Sequence, residues 1–193
     1  MADRRRGEPE GVIDLRRLDL APGAGAQVDV PVPLPDMILG AQAYAPNPPE
    51  TQARVDVGSS GSGVGLRLRF ATSLHGPCHR CLAESSVDIA VDAREFQASG
   101  RADADEPDDD LDCEYLSGPM RMELDVPAWA RDAMAEALPM SVLCREECAG
   151  LCPRCGADLN EGPCDCTDDE MDPRWAALEE LRKRLDEDGE PAE

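Results

Sequence analysis

Cys78-His79-Arg80-Cys81, Cys144-x3-Cys148, Cys152-Pro153-Arg154-Cys155 and Cys164-x-Cys166 are the residues whose type and spacing can do chemistry in this sequence. Thiolates are soft ligands, and at such short spacings several of them converge on one tetrahedral ion, with Zn²⁺ the usual occupant. Cys152-Pro153-Arg154-Cys155-Gly156 reads as a metal knuckle. Pro153 presets one backbone dihedral, and Gly156 can take the positive φ that turns backbone N–H groups back onto a sulfur. Six of the nine cysteines crowd into residues 144–166.

Two other chemistries use clustered thiols. A disulfide framework belongs to an oxidising compartment, but the N-terminal stretch MADRRRGEPE is charged and no apolar run follows it, so a cytoplasmic, reducing setting is expected. Nine is also an odd number, which leaves a thiol over in any all-disulfide scheme. A CxxC thiol enzyme needs its pair at a helix start after a strand, whereas Gly156 and Asn160 indicate loop. Metal is therefore the expected use. With Cys113 set aside as a small core residue, eight cysteines remain, enough for two tetrahedral sites. One arrangement groups Cys78, Cys81, Cys144 and Cys148, and then Cys152, Cys155, Cys164 and Cys166. A single site built from four of the eight satisfies the same chemistry, so one or two structural zinc ions are expected. His75 and His79 are read as solvated.

The elements that must position these cysteines are mostly strands. Val12-Ile13-Asp14-Leu15 begins a short one; Val28, Val30 and Val32 alternate in a second, whose prolines suit an edge; Met37 to Ala43 forms a third. Ala45-Pro46-Asn47-Pro48-Pro49 reads as loop and Gly58–Gly63 as a flexible hairpin turn. Leu66, Leu68 and Phe70 then face a core while Arg67 and Arg69 face out, and Val87, Ile89 and Val91 return, so that two strands bracket the first CxxC. Asp125 and Pro127 open an amphipathic helix over 126–138, and Asp172-Pro173 opens a last one marked by Trp175, Leu178, Leu181 and Leu185. The fold class is thus α+β: a mainly antiparallel sheet or meander, two or three helices, and a C-terminal cysteine-rich zinc-knuckle segment. Residues 1–10 are expected to be a disordered arm, 11–143 the α+β domain with an acidic linker at 101–110, 144–185 the zinc-binding segment with the final helix, and 186–193 a disordered tail.

Composition narrows the function. A formal net charge of −22, from 41 acidic against 19 basic residues, repels bare nucleic acid at long range. RNA contact then needs a local arginine patch, for which Arg67, Arg69, Arg80 and Arg94 on or beside the CxxC hairpin are the candidates. A basic protein is the electrostatically easier partner. No apolar run approaches the ~20 residues of a membrane-spanning helix. No Ser-His-Asp set, paired-carboxylate signature or phosphate loop appears, and no small-molecule substrate is evident.

Several stretches together resemble the YceD family of small bacterial and plastid proteins: Val12-Ile13-Asp14-Leu15, Cys78-His79-Arg80-Cys81-Leu82, Leu138-Pro139, the run from Cys148 through Cys152-Pro153-Arg154-Cys155-Gly156 to Asn160, then Cys164-Asp165-Cys166 and Asp172-Pro173-Arg174-Trp175. The resemblance implies a link to accumulation of large-subunit ribosomal RNA, with no established catalytic residues. The expectation is a non-enzymatic zinc-binding factor promoting large-subunit ribosomal RNA synthesis, processing or stability. Its alternatives are an acidic module or chaperone for a basic large-subunit ribosomal protein and, further off, a CxxC thiol enzyme.

Overall fold

A computed structural model describes residues 11–18, 20–98, 113–118, 120, 122–166, 175, 178, 180–182 and 184. The expected N-terminal arm, acidic linker and C-terminal tail lie outside the described residues. The chain divides into two compact units, Met1–Cys148 and Ala149–Glu193, so Cys144 and Cys148 fold with the strands that precede them.

In the first unit, period-two patterning builds the main sheet. The strands are β1 (Val12–Asp14), β2 (Gly25–Pro33), β3 (Met37–Leu39), β4 (Gln42–Asn47), β5 (Glu50–Ser60), β6 (Gly63–Pro77), β7 (Glu84–Ala98), β8 (Leu116–Ser117) and β9 (Glu123–Asp125). β6 is the spine. Along one edge it pairs with β5 and then β4, along the other with the whole of β7, and β2 and β3 complete the six strands. β1, β9 and β8 form a separate three-stranded sheet. On β6, Leu66, Leu68, Phe70, Thr72 and Leu74 are buried on one face, while the residues alternating with them point to the other, as a pleated strand requires.

The helix α1 (Val126–Glu136) covers the apolar side. Asp125 caps it by accepting from the Ala128 N–H at 3.0 Å, and Pro127 sits where no intrahelical donor is lost. It ends at Glu136, two residues before the expected stop, with Ala137 as its C-cap. Trp129 is buried on its inner side and stacks on Tyr115, ring centroids 5.9 Å apart. Cys113 is fully buried in the same core.

Three expectations change. The single strand over 37–43 is a hairpin, because Gly40 and Ala41 both take positive φ, 55° and 67°, and reverse the chain in a two-residue turn. Ala45-Pro46-Asn47 is strand rather than loop: beyond Tyr44 β4 has a neighbour on one side only, where a proline is tolerated. The Gly58–Gly63 stretch is mostly strand as well, since β5 runs to Ser60 and β6 starts at Gly63, leaving Gly61 and Ser62 as the turn.

The described residues of the second unit include little regular structure. Leu151 bridges Asp158, and Leu178, Glu180–Arg182 and Arg184 are helical. Trp175, Leu178 and Leu181 are about half exposed. Leu185 and the Asp172-Pro173 start expected for this helix lie outside the described residues.

Candidate metal centres and a charged sheet face

The first CxxC turns at the end of the β6–β7 hairpin. The Cys78 N–H donates to the Ala83 carbonyl at 2.7 Å, the Leu82 N–H returns to the Cys78 carbonyl at 3.0 Å, and the Arg80 N–H points at the Cys78 sulfur at 3.4 Å. Closing that turn places Leu82 at φ 61°, a conformation that costs a branched side chain about 1–2 kcal/mol. The second unit repeats the pattern. There the Cys152 N–H donates to Ala157 at 2.8 Å, the Gly156 N–H to Cys152 at 2.9 Å, and Gly156 holds φ 73°. The same knuckle is thus built twice, once with the glycine it favours and once with a half-exposed leucine. Leu82→Gly is expected to raise the unfolding free energy by roughly 0.5–1 kcal/mol, offset in part by glycine's freedom in the unfolded chain. Chemical denaturation, with metal content measured alongside, checks this.

Each knuckle meets a second pair of sulfurs. Cys78, Cys81, Cys144 and Cys148 form one quartet, and Cys152, Cys155, Cys164 and Cys166 another, with the four Sγ atoms in each all within 4.8 Å of one another. A tetrahedron of about 2.3 Å metal–sulfur bonds spaces its sulfurs about 3.8 Å apart. Cys78 and Cys148 are 3.8 Å apart and Cys81 and Cys144 3.6 Å, so the first quartet has the dimensions of a zinc-sized cage. No disulfide joins any of the nine cysteines. His75 and His79 belong to neither quartet.

Electrostatics fit the same occupant. Burial opposes ionisation of Cys78, but N–H groups of Cys81, Cys144 and Arg80 outweigh it and bring the thiol down to about 6. Partial loss of water within the cluster, reinforced by the neighbouring sulfurs, drives the Cys144 thiol up to about 12. In the second quartet the N–H groups of Cys155 and Arg154 lower Cys152 to about 6, while the adjoining Cys155 sulfur pushes Cys166 up to about 12. Four thiolates this close repel one another. A cation is what lets all four ionise, and its binding displaces protons.

The first site is braced from several directions. The His79 N–H donates to the Val142 carbonyl at 2.8 Å, and Arg80 donates through its guanidinium to the Cys148 carbonyl at 2.8 Å, tying the hairpin to the segment that carries the other two cysteines. Tyr44, fully buried, donates its hydroxyl to the Pro77 carbonyl at 2.7 Å, immediately before Cys78. Gly76 is required there, because a β-carbon would overlap the Tyr44 ring. Neither Tyr44 nor Gly76 stood out in the sequence; the one available signal was a glycine just ahead of Pro77-Cys78. In the second unit Asn160 serves as the brace, accepting from the Ala149 N–H at 2.8 Å and donating to the Asp158 carboxylate at 2.6 Å.

The candidate RNA-contacting arginines do not form one patch. Arg80 braces the metal centre, whereas Arg67, Arg69 and Arg94 stand on the outward face of the main sheet with Arg54. Arg67 is paired with Asp92 at 2.5 Å, Arg69 with Asp56 at 2.5 Å, and Arg54 with Asp29 at 2.8 Å. Arg94 makes no ion pair among the described residues, though it acts through space on Asp92. Four arginines against three aspartates leave this area at +1, within a chain whose formal charge is −22. Two arginine pairs, Arg54 with Arg69 and Arg67 with Arg94, lie directly opposite each other in register. Like charges so placed repel.

The family described as "Large ribosomal RNA subunit accumulation protein YceD" matches residues 66–182, which hold most of β6, all of β7 and α1, and both quartets. The chain belongs to the YceD family. Uncharacterised proteins of Mycobacterium bovis and Mycobacterium tuberculosis are each 32% identical to it over 106 residues, covering 55% of this chain and 49% of the relative. A protein of Arabidopsis thaliana named "Large ribosomal RNA subunit accumulation protein YCED homolog 1, chloroplastic" is 33% identical over 63 residues, 33% of this chain and 20% of that protein. The YceD chain described above thus spans about half the length, or less, of these curated relatives. No solved structure matches it. Among the described residues, no helix is long and apolar enough to cross a membrane.

Proposed function

We propose that this YceD protein is a non-enzymatic assembly factor that promotes accumulation of large-subunit ribosomal RNA in the cytoplasm, with two zinc ions as structural staples. The observation that carries the reading is the pair of all-sulfur quartets inside the stretch matched by a family named for that RNA. Four cysteines close a zinc ion's coordination, leaving no position for substrate or an activated water. The first ion joins the tip of the β6–β7 hairpin to the 144–148 segment. The second organises a stretch in which, among the described residues, almost no apolar side chain is buried.

Its partner is large-subunit ribosomal RNA, met through the one part of the main sheet where arginines outnumber acids. The competing partner is a basic large-subunit ribosomal protein, favoured by the −22 charge and by the carboxylates that already engage Arg54, Arg67 and Arg69. Depleting the protein in its own cells is expected to lower large-subunit ribosomal RNA relative to small-subunit RNA, and in-cell crosslinking to recover large-subunit RNA. An unchanged ratio overturns the assembly role. Recovery of a ribosomal protein but no RNA transfers the role to the second partner.

A further inference from the structure

A strand at the edge of a sheet presents a row of unpaired N–H and C=O groups, and proteins blunt such edges with prolines, bulges, short strands or charge. The main sheet ends in β2, β3 and β7. β3 is only three residues long. On β2 the Ser59 N–H bonds the Ala24 carbonyl, so every second residue from Ala24 faces β5 and the alternate set, Gln27, Asp29, Pro31 and Pro33, faces away. Two of those outward positions are prolines and have no N–H to offer.

β7 is long, contains no proline, and pairs with β6 in unbroken register from Glu84 to Ala98, so it has no bulge. The Cys78 N–H bonds the Ala83 carbonyl, and every second residue from Ala83 therefore faces β6. The alternate set, Glu84, Ser86, Asp88, Ala90 and Asp92, aims its N–H and C=O groups away from the sheet. Among the described residues no backbone hydrogen bond takes them. What guards this edge is charge. The same five residues are exposed, and Glu84, Asp88 and Asp92 recur at every fourth position, about 14 Å apart at about 3.4 Å per residue. Opposite Glu84 and Asp88 on β6 stand Pro77 and Ser73, which carry no charge; the arginines begin only at Asp92, which Arg67 engages.

Charge of one sign is a selective guard. It turns away a second copy of this chain, which brings the same carboxylates edge to edge, and it turns away RNA. It admits a cationic strand. We propose that the edge of β7 between Glu84 and Asp92 takes up an extended segment of a basic protein as one more strand of the sheet. The ladder of backbone bonds supplies affinity, and lysines or arginines at every fourth position of the guest face Glu84, Asp88 and Asp92. The guest's alternate side chains fall on the side of Val87, Ile89 and Val91, where apolar residues extend the core. This goes beyond the RNA contact proposed above and does not rest on it, since that contact uses the arginine face rather than this edge.

The test uses the full, metal-loaded chain and fluorescent peptides of about nine residues, with valine at every second position. One peptide has lysine at its first, fifth and last positions and threonine between; the other has glutamate in place of lysine. The lysine peptide is expected to bind about tenfold or more tightly than the glutamate peptide, and to weaken as salt rises. Ala90→Pro removes one outward N–H, blunting β7 as Pro31 and Pro33 blunt β2. It should keep the parent's metal content and fold and bind the lysine peptide about tenfold more weakly, the size of a lost ladder bond. Glu84→Lys combined with Asp88→Lys leaves the backbone alone and should reverse the preference, so that the glutamate peptide binds the tighter. Parent-like affinity in the folded Ala90→Pro chain, or an unchanged preference in the charge-reversed chain, overturns the site. A parent that binds neither peptide overturns it as well. Self-association of the parent that Ala90→Pro abolishes gives the edge to a second copy instead. None of these results touches the RNA reading, which the crosslinking experiment decides.

Discussion

Cys78→Ser is expected to remove one of the two proposed metal ions per chain and to destabilise the Met1–Cys148 unit by several kcal/mol, on the order of a lost structural zinc ligand set. The sulfur is fully buried, so a serine oxygen in its place is a poor ligand with no water to satisfy it. The effect spreads because the ion joins elements distant in sequence. Without it, the 144–148 segment is held to the hairpin by the His79–Val142 bond and the Arg80–Cys148 bond, worth about 1 and 1.5–3 kcal/mol. Metal quantitation should fall from two ions to one, and thermal unfolding should shift sharply downward. The sheet itself survives, since its ladder and apolar core do not depend on the site. A variant that keeps two ions and the parent's melting temperature removes the first centre from the account.

The two ions should leave in a fixed order under chelator, the second unit's first. In the first quartet only Cys144 is exposed; Cys78, Cys81 and Cys148 are buried among strands. In the second, Cys155 and Cys166 are exposed, Cys164 is half-buried, and only Cys152 is enclosed. Ligand exchange begins with a competing ligand reaching the ion. A site with three accessible sulfurs therefore exchanges faster than one with a single exposed sulfur. Stopped-flow chelation should show two phases of equal amplitude. Cys166→Ser should abolish the fast phase and Cys78→Ser the slow one. A single phase in the parent, or the reverse assignment, contradicts this order.

The same comparison shows what each level of description supplies. Cysteine spacing determined the knuckles, because two residues between ligands leave the chain a short covalent bite and one closed turn that satisfies it. Strand identity for β5, β6 and β7 followed equally well from alternation, since Leu66, Leu68 and Phe70 can be buried together only on a pleated strand. Asp125 and Pro127 fixed where α1 begins for the same local reason. Sequence alone was silent wherever partners are far apart along the chain. Residues 78 and 81 could have closed on any of the later cysteines, and the hairpin's position beside residues 142–148 made the choice. Arg67 and Arg69 looked like surface cations available to phosphate until strand register set Asp92 and Asp56 beside them. Gly58 looked like a turn glycine until the same register extended both strands and set it beside Gly65. Short-range order follows from the covalent chain and its propensities, whereas which side chains become neighbours across a sheet is a property of pairing that only the folded whole specifies.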